Sequence, residues 1–311
     1  MVMPNFLIIG SGRSGTTSLH AYLAQHPEVY MSPLKETNFF ALEERTALYG
    51  GPGAKWLINS SISTRRQYEA LFDAVTTQKA IGESSPRYLY TPAAMENIKR
   101  TLPDVKLIAV LRNPVDRAYA SYMGMRRDGW EKCPDFAQAI ADEPRRIAEN
   151  WLMGCYLSVG YYHAHLSRVY RLFDPAQIRI YLYEDLQDRL ADVLADIFAF
   201  IGVDTTFTPD MSHRHNVSGI IRNPLLRALW TKTILLRTMM RPLVPYGLRH
   251  WAGRAIVREV EKEALAPRLR AELIARYRED ILLLERLINR DLRAWLQCPE
   301  DGQAPGAAGA S

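Results

Sequence analysis

The chain has 311 residues, of which 48% are hydrophobic and 23% charged, with a formal net charge of +5. This composition is typical of an ordinary globular protein with a sizeable buried core. No stretch reaches the ~20 uninterrupted apolar residues of a membrane-spanning helix, and the first apolar run is too short for a secretory signal. Cys133, Cys155 and Cys298 form no C-x-x-C pair, which indicates a reducing compartment and no zinc site. We therefore expect a cytoplasmic protein.

Four apolar runs predict buried strands, and amphipathic patterns between or after them predict helices. The strands are predicted at 6–9, 79–82, 106–111 and 178–183. Helices are predicted between the first loop and His26-Pro27, from Pro114 with Asn113 as N-cap, from Leu190 to Gly202, and from Leu269 to Trp295. This alternation predicts an α/β, P-loop-like three-layer fold, with a central parallel sheet and helices on both faces. We expect one domain over residues 1–298 and a small, polar, disordered tail over 299–311.

The first loop, Gly10-Ser-Gly-Arg-Ser-Gly-Thr-Thr-Ser18, joins the first predicted strand to a helix. Such a turn is an anion site, because free backbone N–H groups and the positive end of the helix dipole converge there. A Walker A loop would read G-x-x-x-x-G-K-[ST]. Here Thr16 replaces the lysine and Arg13 lies inside the turn. The loop therefore predicts a phosphate-type anion, but not an ordinary ATPase or GTPase.

The same glycines also spell the dinucleotide pattern G-x-G-x-x-G. That pattern requires an acidic residue roughly 20 positions on, at the end of the next strand. Glu36 has about this spacing, but Ser32-Pro33 separates it from the only strand candidate, 29–31. A dinucleotide site and a turn that binds nothing both stay open at this point.

Ligands of a parallel sheet gather beyond the carboxyl ends of its strands, so the segments 10–18, 82–86 and 112–114 should converge. Arg112 follows the third strand where a Walker B strand would end in an acid that helps to hold magnesium. An arginine binds a phosphate instead, and Ser121, two turns into the next helix, could reach the same anion. Two phosphate sites without a metal-binding acid predict a nucleotide with phosphates at its 5′ and 3′ positions.

No acidic residue occurs between Asp210 and Glu259, an interval that holds nine lysines and arginines. Concentrated positive charge attracts anions. Three interpretations of the segment 205–258 stay open. It is a solvated basic face, a rim or lid that guides an anionic acceptor or donor, or a membrane-surface segment through 225–258, where apolar residues mix with basic ones. The last would suit a lipid-linked or glycolipid acceptor.

The sequence resembles the sulfotransferases that use 3′-phosphoadenosine 5′-phosphosulfate (PAPS). The segment 10–19 is similar to the family's 5′-phosphosulfate loop, and 111–122 is similar to its 3′-phosphate motif, in the same order. The segment from His26-Pro27 to Lys35-Glu36-Thr37-Asn38-Phe39-Phe40 resembles the part that carries the catalytic glutamate in the heparan-type, carbohydrate-directed branch. The stretches 183–186 and 291–295 resemble bacterial members, so the likeness covers about residues 5–296.

The resemblance implies transfer of a sulfuryl group from PAPS to a hydroxyl or amine of a carbohydrate, glycolipid or small metabolite. Adenosine 3′,5′-bisphosphate would be the product, with no metal and no nucleic-acid partner. The residues that would bind the 5′-phosphosulfate are Arg13, Ser14, Gly15, Thr16, Thr17 and Ser18. Arg112 and Ser121 would bind the 3′-phosphate, and Asn216 and Gly219 fall where the family places a late loop over the nucleotide.

The resemblance also implies the catalytic roles. Glu36 would take the acceptor's proton, and Arg13 would stabilise charge on the departing oxygen. Many members have lysine at the position of Arg13, and the heparan-type branch often has lysine at that of Ser84, so Glu83 becomes a second candidate base. The rival hypotheses are an atypical P-loop kinase and a nucleotide-binding or membrane-surface module without catalysis.

Overall fold

Five parallel strands form the centre of the computed structural model, which describes residues 2–43, 49–211, 220–221, 260–261 and 264–298. Their order across the sheet is β2-β3-β1-β4-β5. The strands are β1 (Phe6–Gly10), β2 (Val29–Met31), β3 (Ala80–Ser84), β4 (Lys106–Leu111) and β5 (Ile178–Leu182). In the register, Leu7 of β1 lies between Glu83 of β3 and Leu107 of β4.

Most of the described helices connect these strands or cover them. In chain order they are α1 (Thr16–Leu23), α2 (Phe39–Leu42), α3 (Ala54–Ser60), α4 (Arg65–Ala70), α5 (Pro92–Thr101), α6 (Pro114–Arg127), α7 (Phe136–Ala141), α8 (Glu143–Ala148), α9 (Tyr162–Leu172), α10 (Tyr183–Asp188), α11 (Leu190–Ile201) and α12 (Pro267–Ile288). Short 3₁₀ turns span Tyr88–Tyr90, Ser158–Gly160, Pro175–Gln177 and Arg293–Leu296. A separate two-residue antiparallel pair joins β6 (Ile220–Ile221) and β7 (Val260–Glu261). None of the described helices combines the length and the apolar character that crossing a bilayer requires.

The sheet separates two apolar clusters, because successive side chains of a strand point to opposite faces. On one face Leu7 and Ile9 pack with the cluster that includes residues of α5, α6, α9 and α12. On the other, Phe6 and Ile8 pack with residues of α1 and α11. Burial on both faces explains why the strands read as continuous apolar runs. The predicted three-layer α/β fold with a central parallel sheet is confirmed.

Capping residues in the sequence correctly predicted where α6 begins and where α11 ends. The side chain of Asn113 accepts hydrogen bonds from the N–H groups of Val115 and Asp116, and Pro114 occupies the first turn of α6, as the cap pattern predicts. Helix α11 ends at Gly202, which adopts a left-handed conformation with φ of 83°. Strand β4 has the predicted bounds.

The predicted helix from Leu269 to Trp295 is wrong at its end. Helix α12 stops at Ile288, because Asn289 turns left-handed with φ of 50°. The Glu285 carboxylate then accepts a hydrogen bond from the N–H of Leu292, 2.8 Å away. This reversal brings Trp295 back beside α9, where its ring lies 6.3 Å from that of Tyr162.

Other predictions fall on residues outside the described ranges. They include Asn216, Gly219, the membrane-surface segment 225–258, most of the basic segment 205–258, and the tail 299–311.

Candidate active site

The first loop lies at the carboxyl edge of the sheet, between β1 and α1. Its backbone is turned by two left-handed residues, Arg13 with φ of 70° and Gly15 with φ of 86°. Gly15 is the N-cap of α1, and it brings no capping side chain; the first turn also has no acidic residue. The first N–H groups of a helix have no intrahelical acceptor. The start of α1 is therefore suited to an anion.

Hydroxyl groups anchor the loop from beneath. The Ser11 hydroxyl lies 2.6 Å from that of Ser14 and 3.2 Å from that of Tyr162 on α9. The N–H of Ser11 donates to the carbonyl of Val110 at 2.7 Å. Within the loop the Ser14 side chain is therefore fully buried, whereas Thr17 and Ser18 are partly exposed on the first turn of α1.

The guanidinium group of Arg13 lies against α6, in the space that a side chain at Gly124 would occupy. A Cβ atom added to Gly124 would stand 2.0 Å from Arg13 Nη2. Burial and, to a smaller extent, the charge of Arg127 lower the pKa of Arg13. Within the described part of the chain, Arg13 forms no ion pair. A desolvated cation without an ion-pair partner is a strong attractor for an anion.

Arg112 reaches the same loop from the end of β4. Its Nη1 donates to the carbonyl of Arg13 at 3.1 Å, and its guanidinium lies 4.8 Å from the ring centroid of Tyr183. Ser121 is partly exposed on α6. It lies one turn before Gly124, so the two residues share a face of the helix. The structure thus brings Arg13, Arg112 and the α6 face with Ser121 together around one loop.

Glu36 lies on the segment between β2 and α2, beside the end of β3. Its N–H donates to the carbonyl of Ser84 at 2.8 Å, and Lys35 Nζ lies 2.7 Å from its carboxylate. The side chain is 51% exposed. The pKa of Glu36 is lowered mainly by the charge of Lys35 and less by those of Arg13 and Arg87. Glu36 is therefore an accessible, ionised carboxylate within the electrostatic reach of Arg13.

Glu83, the other candidate base, is fully buried behind that segment. Its carboxylate accepts hydrogen bonds from the hydroxyls of Thr37, at 3.0 Å, and Ser85, at 3.4 Å. Burial is the main cause that raises its pKa to about 7, although hydrogen bonds from Tyr88, Ser85 and Thr37 oppose the rise. The neighbouring Ser84 hydroxyl is buried without a described partner.

This pKa predicts a pH-dependent contribution to stability. Between about 4.5 and about 7 the folded protein holds the Glu83 proton more tightly than the unfolded chain, so the free energy of unfolding falls as the pH rises through this window. At pH 8 the full penalty is about 3 kcal/mol at most. We expect Glu83→Gln to remove it, so that the variant becomes more stable relative to the wild type from pH 4 to 8. Denaturant titrations over this range measure the difference; a constant difference would contradict the assignment.

Three contributors were not identified from the sequence. No sequence pattern singles out Gly124, and Thr37 and Tyr183 occur only within the stretches that resemble the family, Tyr183 in 183–186. The resemblance of 183–186 to the family could have pointed to Tyr183. This stretch meets the other late stretch, 291–295, at the site, where Trp295 Nε1 donates to Glu184 at 3.0 Å. The sheet order also disfavours the dinucleotide hypothesis, since β3 separates β1 from β2, whereas a dinucleotide fold places them side by side.

Comparisons with known proteins identify similar chains. The crystal structure of a sulfotransferase from Alicyclobacillus acidocaldarius superposes with a TM-score of 0.76 and 32% identity, covering 96% of this chain and 100% of that one. The membrane-associated sulfotransferase kil1 of Dictyostelium discoideum is 34% identical over 122 residues, 39% of this chain. The human bifunctional heparan sulfate N-deacetylase/N-sulfotransferase 2 is 28% identical over 205 residues, 65% of this chain. The matches span only 23% and 22% of these two relatives.

The model of the sulfotransferase family matches residues 4–208, more than half of the 311 residues. This range contains β1 to β5, the first loop, Glu36, Arg112 and Ser121. On this match, and on the likeness to the Alicyclobacillus acidocaldarius protein over 96% of the chain, the chain belongs to the sulfotransferase family.

Proposed function

We propose that this protein transfers a sulfuryl group from PAPS to a hydroxyl or amine of a carbohydrate, glycolipid or small metabolite. One observation carries the proposal. The partly buried Arg13 guanidinium packs against Gly124 of α6 and has no described ion-pair partner. Arg13 itself belongs to the loop before the uncapped start of α1, and Arg112 donates a hydrogen bond to the same loop. Two cations at one loop suit a ligand with two separate anionic groups.

The donor's 5′-phosphosulfate would lie at the start of α1. Gly15, Thr16, Thr17 and Ser18 offer backbone N–H groups and hydroxyls there, and Ser14 contributes through the buried support of the loop. Arg112 and Ser121 would bind the 3′-phosphate, because both lie beyond the end of β4. Asn216 and Gly219, outside the described residues, are proposed to close over the nucleotide.

The transfer step needs a base and a cation. Glu36 would accept the proton of the acceptor hydroxyl as its oxygen forms a bond to sulfur in line with the leaving group. The bond from sulfur to the bridging oxygen breaks, and its electron pair stays on the 5′-phosphate of adenosine 3′,5′-bisphosphate. Arg13 would stabilise that developing charge by hydrogen bonds, since a guanidinium keeps its proton.

The acceptor class and the location belong to the same proposal. The names of the relatives support it, since one is a heparan sulfate N-sulfotransferase and one is called membrane-associated. We infer a sugar-bearing or lipid-linked acceptor in the cytoplasm, with contact to a membrane surface through 225–258. A P-loop kinase is supported less, because Arg112 and Thr16 occupy the positions of the metal-binding acid and the phosphate-binding lysine.

Thermal unfolding tests donor recognition. Adenosine 3′,5′-bisphosphate at about 100 times its dissociation constant should stabilise the chain by about 2.7 kcal/mol, a rise in melting temperature of several degrees. ATP with magnesium at the same concentration should give a clearly smaller rise. Equal shifts for the two nucleotides would argue for a kinase-like site. Incubation of the protein with ³⁵S-labelled PAPS and a panel of sugars, glycolipids and phenols then identifies the acceptor by its label.

A further inference from the structure

Hydrogen bonds fasten the segment that carries Glu36 to the end of β3. The N–H of Asn38 donates to the Ser85 hydroxyl at 3.1 Å, and the Thr37 hydroxyl donates to Glu83 at 3.0 Å. With the bond from Glu36 N–H to the Ser84 carbonyl, every residue from 36 to 38 is tied to one of three consecutive strand-end residues.

The tied backbone is left-handed at two residues, a conformation that asparagine tolerates but that glutamate rarely adopts. Glu36 has φ of 62° and Asn38 has φ of 51°, both in the left-handed region. Such conformations persist only where surrounding contacts hold them. Thr37, between them, is fully buried and makes the central contact.

Glu83 has no exposed surface from which to meet an acceptor. It is fully buried, as are Thr37, Ser85 and Tyr88 around it. The Tyr88 hydroxyl lies 3.1 Å from that of Thr37, which completes a network of hydroxyls around the carboxylate. The carboxylate of Glu36, only one residue from Thr37, is by contrast half exposed.

We propose that Glu83 is a positioning residue that holds the Glu36 carboxylate at the donor site through the Thr37 hydroxyl. The inference rests on the proposed role of Glu36 as the base. The buried Glu83 accepts a hydrogen bond from Thr37 and so fixes the residue next to Glu36, which limits the Glu36 carboxylate to one position. Small displacements of a reacting group from its productive position greatly lower the rate. This role also explains why the Glu83 carboxylate is buried, without exposed surface from which to take a proton from the sulfuryl acceptor.

Thr37→Val is the principal variant, because it removes the hydroxyl and keeps the branched shape. In the full chain saturated with adenosine 3′,5′-bisphosphate, we expect amide hydrogen exchange of Glu36 and Asn38 to become at least about tenfold faster, with β1 and α1 unchanged. Thr37→Ser keeps the hydroxyl and should restore slow exchange. Unchanged exchange in Thr37→Val, or acceleration spread across β1, would overturn the proposal.

Turnover of ³⁵S-labelled PAPS with the acceptor that the wild type labels provides the second readout. Thr37→Val should lower kcat at least about tenfold while the affinity for the nucleotide stays unchanged. In a Glu36→Gln background the same substitution should cause no further loss of kcat, because the two residues act as one unit. Glu83→Gln, which keeps an oxygen acceptor, should lose less than Glu83→Leu, which has none. An additive loss in the Glu36→Gln background would mean that the contact only stabilises the fold.

The two proposals fail in different ways. If the proposed function is wrong, the wild type labels no acceptor, or Glu36→Gln turns over as fast as the wild type. If only this inference is wrong, the wild type is active and Glu36→Gln is not, while Thr37→Val matches Thr37→Ser in exchange and in rate. A loss in Glu83→Gln as deep as in Glu83→Leu, with Glu36→Gln active, would make Glu83 the base.

Discussion

Glu36→Gln should lower kcat by about 100-fold or more while the affinity for adenosine 3′,5′-bisphosphate stays within about twofold, the signature of a lost general base. The amide keeps the size of the side chain but cannot accept the proton. The lowered pKa of Glu36 means that the wild-type group is already ionised at neutral pH. Rates with the labelled donor and titration calorimetry with the product nucleotide measure the two effects.

Glu28→Gln is the matched control for this experiment. Glu28 is also paired with a lysine, Lys79, but it lies at the opposite end of β3, where Lys79 and Ala80 donate to its carbonyl. Its variant should keep full turnover. Full activity in Glu36→Gln would contradict the account and would move the role of base to Glu83 or to another group.

Gly124→Ala should lower kcat/KM about 100-fold although the substitution adds a single methyl group. The new Cβ would stand 2.0 Å from Arg13 Nη2, so the guanidinium must leave its position. We propose that it faces the donor from there, and a displacement of about 1 Å can cost this much. The flexible end of the arginine can move, and alanine favours a helix by about 1 kcal/mol over glycine. The melting temperature should therefore not fall.

Arg13→Lys provides the test of that explanation. A lysine has no counterpart of the arginine Nη atoms, of which Nη2 would stand nearest to the added Cβ, and its unbranched ammonium can turn away from α6. In an Arg13→Lys background we therefore expect the Gly124→Ala change to cost less than about threefold. If the alanine costs the same with either residue at position 13, then it acts through the helix and not through Arg13.

The sequence predicted those parts of the fold that depend on local chemistry. Strand β4 and the start of α6 follow from an apolar run and from a cap made by Asn113 with Pro114. Because parallel strands end at one edge, the meeting of the first loop with Arg112 and the segment after β3 could also be predicted. The likeness of the loop and of the Arg112 segment to known motifs supplied the chemistry.

The rest depends on contacts between distant residues. The space at Gly124 is defined by Arg13, more than one hundred positions away, and the burial of Glu83 by Thr37 and Tyr88. The apolar pattern continues to Trp295 and therefore predicts too long a helix α12, whereas the left-handed Asn289 ends the helix at Ile288. No pattern within one segment reports such contacts.

Binding of two nucleotides to two variants tests the central claim, that Arg13 and Arg112 hold opposite ends of one bisphosphorylated adenosine. By calorimetry, the wild type should bind adenosine 3′,5′-bisphosphate about 100-fold more tightly than 5′-AMP, the worth of a charge-assisted contact to the second phosphate. Arg112→Ala should reduce this preference to less than about tenfold. Arg179→Ala, which removes an arginine that also lies over an aromatic ring, that of Phe200 at 4.5 Å, should leave it intact. A preference that survives in Arg112→Ala, or is absent from the wild type, would contradict the account.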